Sequence, residues 1–140
     1  MKNVRLILTI VVVFALATFL GFFIHAIWLK QDYMPIAALY RPEGTEKLVW
    51  IFLGYLGFAI GSVIVYAHGV ENKPFWIQGV RFGVLMWLIL SVPSFLIAYG
   101  VQPIPIILTF KQLSSELIAK ILLGIVTALV YGRRNLAASL

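Results

Sequence analysis

Four apolar runs of helix length, set apart by short segments that hold nearly all of the charge, dominate this sequence. They cover about residues 6–29, 46–67, 75–99 and a stretch ending near residue 131. A hydrocarbon core of ~30 Å takes about 20 apolar residues of helix, and a helix satisfies its own backbone where no water is present to do so. The expected fold is therefore all-α, an integral membrane bundle of about four transmembrane helices, with residues 1–140 forming one transmembrane domain. Composition agrees: 62% of the residues are hydrophobic and 11% charged, against ~45–50% and ~25% in soluble chains. Four spans leave no length for an extramembrane domain. Any chemistry would lie in the bundle, in its short loops or on a partner.

The first run opens like a secretory signal, with Lys2 and Arg5 ahead of apolar residues and Ala15 and Ala17 spaced like a cleavage site. The apolar stretch continues past Ala17 with no polar region, so an uncleaved anchor is expected. The fourth run has two readings. Ser115 and Glu116 look like an N-cap followed by a carboxylate in the first turn, where the helix dipole favours negative charge. A helix from there to Tyr131 would rise roughly 24 Å, short for a span. Alternatively the helix starts near Pro105, since proline suits a first turn; on the short-helix reading the stretch 104–110 lies in the outer interface.

Charge counting sets an expected orientation. Lys2, Arg5, Lys73, Arg81, Arg133 and Arg134 share one side with Glu71; Lys30, Arg41, Lys47, Lys111 and Lys120 share the other with Asp32, Glu43, Glu46 and Glu116. The basic pairs flanking the first and last helices favour N-in and C-in, and a bacterial inner membrane is the expected location. Trp28, Trp50 and Tyr99 would mark the outer interface and Tyr66, Trp76 and Tyr131 the inner one.

Shifting the chain on itself by about 70 residues aligns Pro35-Ile36 with Pro105-Ile106, Thr45-Glu46 with Ser115-Glu116, and Leu53-Gly54 with Leu123-Gly124. A duplication would make two tandem helical hairpins related by an axis along the membrane normal. Gly57 and Gly61, Gly79 and Gly83, and Gly124 with Ala128 each have the small-xxx-small spacing that lets helix backbones approach in lipid. Pro93, with Ser91 and Ser94 beside it, should kink the third helix, the hydroxyls answering the carbonyl that loses its partner.

His25 is the first residue to weigh for chemistry. It follows Gly21 by one turn and precedes Trp28. This Gly-x-x-x-His with a following Trp resembles, over one turn, the Ala-x-x-x-His arrangement of light-harvesting antenna helices. That resemblance implies an axial ligand for a haem or chlorophyll-type macrocycle; the plainer reading is a histidine bonded to a neighbouring helix or sitting at the outer interface. His68 is too distant to complete a bis-histidine site. Lys120 is costly inside a bilayer unless paired, and Glu116, four residues earlier, stands in the favourable order for an ion pair. That pair reads either as an interfacial structural contact or, with Arg81, as part of an ion or substrate pathway. Arg81 also reads as snorkelling to headgroups.

Several classes are disfavoured. With no cysteine, thiolate catalysis, disulfides and Cys-ligated metals drop out. Scattered basic residues without a motif argue against nucleic acid. No paired intramembrane carboxylates, His-x-x-x-His, Ser/His/Asp set or glycine-rich phosphate loop is present, so an enzyme is not expected. Three functions follow in order: a non-catalytic accessory or structural subunit of a larger membrane complex, with other membrane subunits and the bilayer as partners; a small homo-oligomeric transporter or channel using Glu116 and Lys120; and a pigment- or haem-binding protein using His25.

Overall fold

The structure, a computed structural model, describes residues 2–132. Arg133 and Arg134, which carry part of the orientation argument, lie outside the described residues. Helix α1 (Lys2–Phe22) runs into a π-helical turn, Phe23–Trp28. A 3-10 segment, Gln31–Leu39, follows, broken at Ile36 where φ is −117° and ψ is 19°. Then come α2 (Leu48–His68), α3 (Phe75–Met86), a second π-helical turn (Trp87–Ser91), α4 (Val92–Val101) and α5 (Ile106–Gly132). The fold is an all-α bundle with four helices long and apolar enough to cross a membrane: Asn3–Trp28, Leu48–His68, Phe75–Val101 and Ile106–Gly132.

Local chemistry sets the ends of these helices. Gly69 closes α2, its N–H bonded to the carbonyl of Tyr66 at 3.0 Å, and Pro74 precedes α3, where its missing N–H costs nothing. Gly44 turns the long connector at φ +85°, a conformation open to glycine. Pro105 accepts the first bond of α5 from the N–H of Thr109 at 3.2 Å. The fourth span therefore begins after Pro105, and the N-cap expected at Ser115 is not formed. Ser115 sits inside the helix, its hydroxyl donating to the carbonyl of Lys111 at 2.8 Å. Stretch 104–110 accordingly enters α5 at Ile106 rather than lying flat in an interface.

Helix α5 is the spine. Its buried residues include Leu108, Gln112, Glu116, Ala119, Leu123 and Thr127, which recur at helical spacing along one face. This face carries polar groups inward, the reverse of a soluble helix and the arrangement expected when lipid is the solvent. Of the span windows, α5 is 39% buried, while the third span is 6% buried.

The α3–α5 contact is a backbone-to-backbone fit. A Cβ on Gly79 or Gly83 would collide with the α5 backbone at Ile125, Gly124, Lys120 and Ile121, and a Cβ on Gly124 with the α3 backbone. In lipid, where apolar burial between helices gains little, such close approach lets dispersion hold them. Gly57 and Gly61 behave differently: no atom lies within 4 Å of where their Cβ atoms would stand. Their spacing matches the motif, but among the described residues they face no helix.

Helix α2 leans on α1 through Val13, Ala17, Ala59 and Val63, joined by Leu123. A second cluster unites Ile24, Leu29, Ile36, Ile104, Leu108 and Ala119. Ile36 thus folds the connector under the end of the bundle from which α5 starts. Tyr66, expected in an interfacial belt, is instead 4% exposed, its ring 5.1 Å from Phe82 and 6.1 Å from Tyr131. Trp28, Trp50, Trp76 and Tyr99 do face outward.

The 70-residue repeat does not survive as a structural register. Thr45-Glu46 precede α2, whereas Ser115-Glu116 lie well inside α5, and Gly54 meets open space where Gly124 meets backbone. A long connector joins α1 to α2, but α4 and α5 are separated by only 102–105.

Candidate functional site

The carboxylate of Glu116 stands about 15 Å along α5, a helix of about 40 Å. It therefore lies about three turns inside the helix rather than in its first turn. It is 9% exposed, and the other spans supply its partners. Lys120, one turn on, donates to Oε2 at 2.5 Å. Nε2 of His25 comes to 3.4 Å from Oε1. Ser91, from the π-helical turn of the third span, brings its hydroxyl to 3.5 Å from Oε2. A charged pair placed so deep is tolerated when its lone pairs and protons are answered locally.

The π-helical turns aim these partners. In each, one extra residue per turn widens the helix and redirects a side chain. The turn at Phe23–Trp28 carries His25 inward, and the N–H of Leu29 closes it on the carbonyl of Ile24 at 2.8 Å. The turn at Trp87–Ser91 precedes Pro93, which offers no N–H; Ser94 donates to the carbonyl of Leu90. Ser91 was expected to answer a carbonyl freed by Pro93, but its hydroxyl points at Glu116. Trp87 donates Nε1–H to the carbonyl of Leu113 at 2.9 Å, pinning the third span to α5 one turn from the carboxylate.

The other nitrogen of His25 is also committed. Nδ1 lies 2.7 Å from the Tyr33 hydroxyl, and Gln112 donates to that same oxygen at 2.9 Å. With Gln112 donating to that oxygen, a Tyr33 proton given to Nδ1 would leave the ring's own proton on Nε2, facing Glu116. A neutral imidazole in that tautomer satisfies all three bonds. Tyr33 lies outside the spans, in the 3-10 segment, and burial pushes its phenol up to about 12, against the opposing Gln112 hydrogen bond. An ion pair between Lys111 and Asp32 at 2.7 Å ties that segment to α5. Thr109, on the same face, is buried, and its hydroxyl has no partner among the described residues.

No family model matches the chain, and no curated protein or solved structure was found to be similar to it.

The Glu116 cluster opens on a cavity of about 440 Å³ to which all four spans contribute: Gly21 from α1, Tyr55 and Phe58 from α2, Ser91 and Phe95 from the third span, Lys120 from α5. It exists because α2 and the third span splay. They touch through Tyr66 and Phe82 near their shared loop, and separate toward the other end. The Lys120 ammonium sits 5.1 Å from the centre of the Phe58 ring, a cation–π distance.

Of the residues singled out in the sequence, Glu116, Lys120 and His25 come together. Arg81 does not. It is exposed in α3 and faces Glu71 at 3.4 Å, and Glu71 also pairs with Lys73, which holds its carboxyl below the usual range. His68 is exposed, its Nδ1 2.8 Å from the carbonyl of Ile64. Because α5 starts nine residues before Ser115, Glu116 and Lys120 lie well inside the helix rather than in its first two turns. Because both ring nitrogens of His25 face protein groups, a macrocycle metal would have to displace Tyr33 or Glu116. Sequence reasoning missed Tyr33, Tyr55 and Gln112. A signal existed for Gln112, since Gln112, Glu116 and Lys120 form a polar i, i+4, i+8 stripe in an apolar helix. None existed for Tyr33, whose place depends on the fold of the connector.

Proposed function

We propose that this chain is a non-catalytic, multi-pass membrane protein of the transporter class that holds a small solute among its four spans. The observation that carries this reading is the Glu116 carboxylate: groups from the first, third and fourth spans answer it inside an apolar bundle, beside a 440 Å³ cavity. Ionisable side chains at membrane depth are expensive, and where they persist they mark substrate or ion sites. A volume of this size is that of small-molecule pockets. All four spans of one copy line this open groove, which supports binding within a single chain. The orientation that accompanies this reading is N-in and C-in, in a bacterial inner membrane, supported by the basic residues at the two ends of the chain.

A second reading, an accessory subunit of a larger membrane complex, has its own support: α2 and the third span are the least covered helices, with Gly57 and Gly61 facing open space. Affinity purification from native membranes in mild detergent, with mass spectrometry of both proteins and small molecules, separates the two. The transporter reading expects a chain free of other proteins, carrying a small molecule that Glu116→Gln loses. Stoichiometric protein partners with an empty cavity would replace it with the subunit reading.

A further inference from the structure

We propose that the cavity between α2 and α4 takes a neutral amphiphile from the bilayer, binding a carbonyl oxygen of its head through the Lys120 ammonium and the Tyr55 hydroxyl. This deepens the transporter-class reading and rests on it. Lys120 has three N–H donors; one goes to Glu116, and the Phe58 ring takes the electrostatic share of a second. Among the described residues nothing takes the remaining donor, beside the cavity that Lys120 lines. Tyr55 fills the room that Gly21 leaves: a Cβ there would overlap the phenol oxygen, so the hydroxyl rests on bare backbone at the cavity wall. Ser94 spends its proton on the carbonyl of Leu90 and Ser91 on Glu116, while Glu116 itself already faces three partners. The wall therefore offers spare donors, and a ligand must bring an acceptor.

Charge narrows the class. An anionic head would set a second negative charge beside Glu116 on the one ammonium, in a low dielectric where like charges repel strongly. A carbonyl takes the spare N–H without contesting the ion pair. The rest of the wall is apolar and aromatic, with Trp50, Phe58 and Phe95 around the polar floor, which suits a hydrophobic body. Gly54 lines the same cavity, and no atom lies within 4 Å of where its Cβ would stand. A Cβ added there meets open space at the cavity wall.

The test uses the full chain in nanodiscs of ether-linked phosphatidylcholine, which brings no ester carbonyl of its own, and equilibrium binding of three labelled probes. A decyl-benzoquinone and a dioctanoylglycerol carry carbonyls of two origins, a quinone ring and an ester; dodecanoate carries a carboxylate. Saturable binding of either neutral probe is expected, and which of the two binds identifies the source. Gly54→Leu should weaken it by at least about tenfold by occupying the space. Tyr55→Phe should cost about three- to tenfold, as for one lost neutral hydrogen bond, and Lys120→Met about tenfold or more. Lys120→Met leaves Glu116 without its partner and can unfold the bundle; Gly54→Leu and Tyr55→Phe leave that pair intact and decide the matter alone. Tighter binding of dodecanoate, no saturable binding of either neutral probe, or unchanged affinity in Gly54→Leu would each overturn the proposal. A small molecule that co-purifies while neither neutral probe binds would sink this inference and leave the transporter reading standing. An empty, unresponsive cavity would remove both.

Discussion

Two contacts between neighbouring spans divide this bundle. Where α3 meets α5, three glycines bring the backbones together and leave no space. Where α2 faces α4, the helices part, and the gap is lined by a carboxylate, an ammonium and three hydroxyls. The same sequence device, small residues four apart, occurs on α2 and α3, yet only on α3 does a partner backbone fill the groove. In lipid a small-residue stripe permits contact and does not compel it. The α3–α5 seam supplies the rigid side, with Trp87 bonded across it, and the wedge supplies the space.

The largest expected effect breaks the wedge from below. Glu116→Leu strips Lys120, His25 and Ser91 of their common acceptor and should destabilise the bundle by about 3 kcal/mol, read as a fall in the thermal midpoint in detergent. An unchanged midpoint would mean that the cluster contributes nothing to the fold. The seam comes next. Gly124→Val forces α3 from α5 and should cost about 2–3 kcal/mol, whereas Gly57→Val, at the same spacing motif on the open face, should stay within about 0.5 kcal/mol. Equal losses at the two sites would erase the distinction between seam and wedge.

A smaller effect tests how the connector is fastened. Tyr33→Phe removes the hydroxyl shared by His25 and Gln112 and should cost about 1 kcal/mol. It should also change the alkaline limb of stability. The folded phenol titrates at about 12 against an ordinary value of 10.0, so the unfolded chain loses this proton first. The wild type should therefore lose this contribution as pH rises from about 10 to about 12, and the variant should lack that component. The smallest effect is at the Lys30–Glu43 pair, fully exposed, where the ammonium holds the Glu43 carboxyl below its usual range. Its contribution is present above the ordinary carboxylate range and fades as pH falls through the lowered value, so Glu43→Gln should flatten only the acid limb, and slightly.

Much of the fold was legible because apolar length and helix are nearly synonymous in a bilayer. The four runs needed no tertiary information. The start of α5 was ambiguous because Pro105 and Ser115 are both sound N-terminal signals, and only the contacts of Leu108 and Gln112 decide between them. That one displacement also carried Glu116 and Lys120 from the first two turns of the helix to well inside it. The pairing of Glu116 with Lys120 was readable from spacing, and His25 stood out as a histidine in an apolar run. Their convergence was not readable, since it depends on π-helical turns that leave no mark in periodicity. The glycines show the same boundary: spacing located the grooves, and which groove is filled is a property of the assembled helices.

The central claim is that His25 of the first span and Glu116 of the fourth act as one unit within the bundle. A double-mutant cycle on thermal stability in detergent, using His25→Phe, Glu116→Gln and the pair, measures it most directly. The account predicts a coupling of about 1 kcal/mol, with the double variant losing less than the sum of the two single losses. Strict additivity would show that the first and fourth spans do not meet at this carboxylate, and the site described here would not exist as a unit.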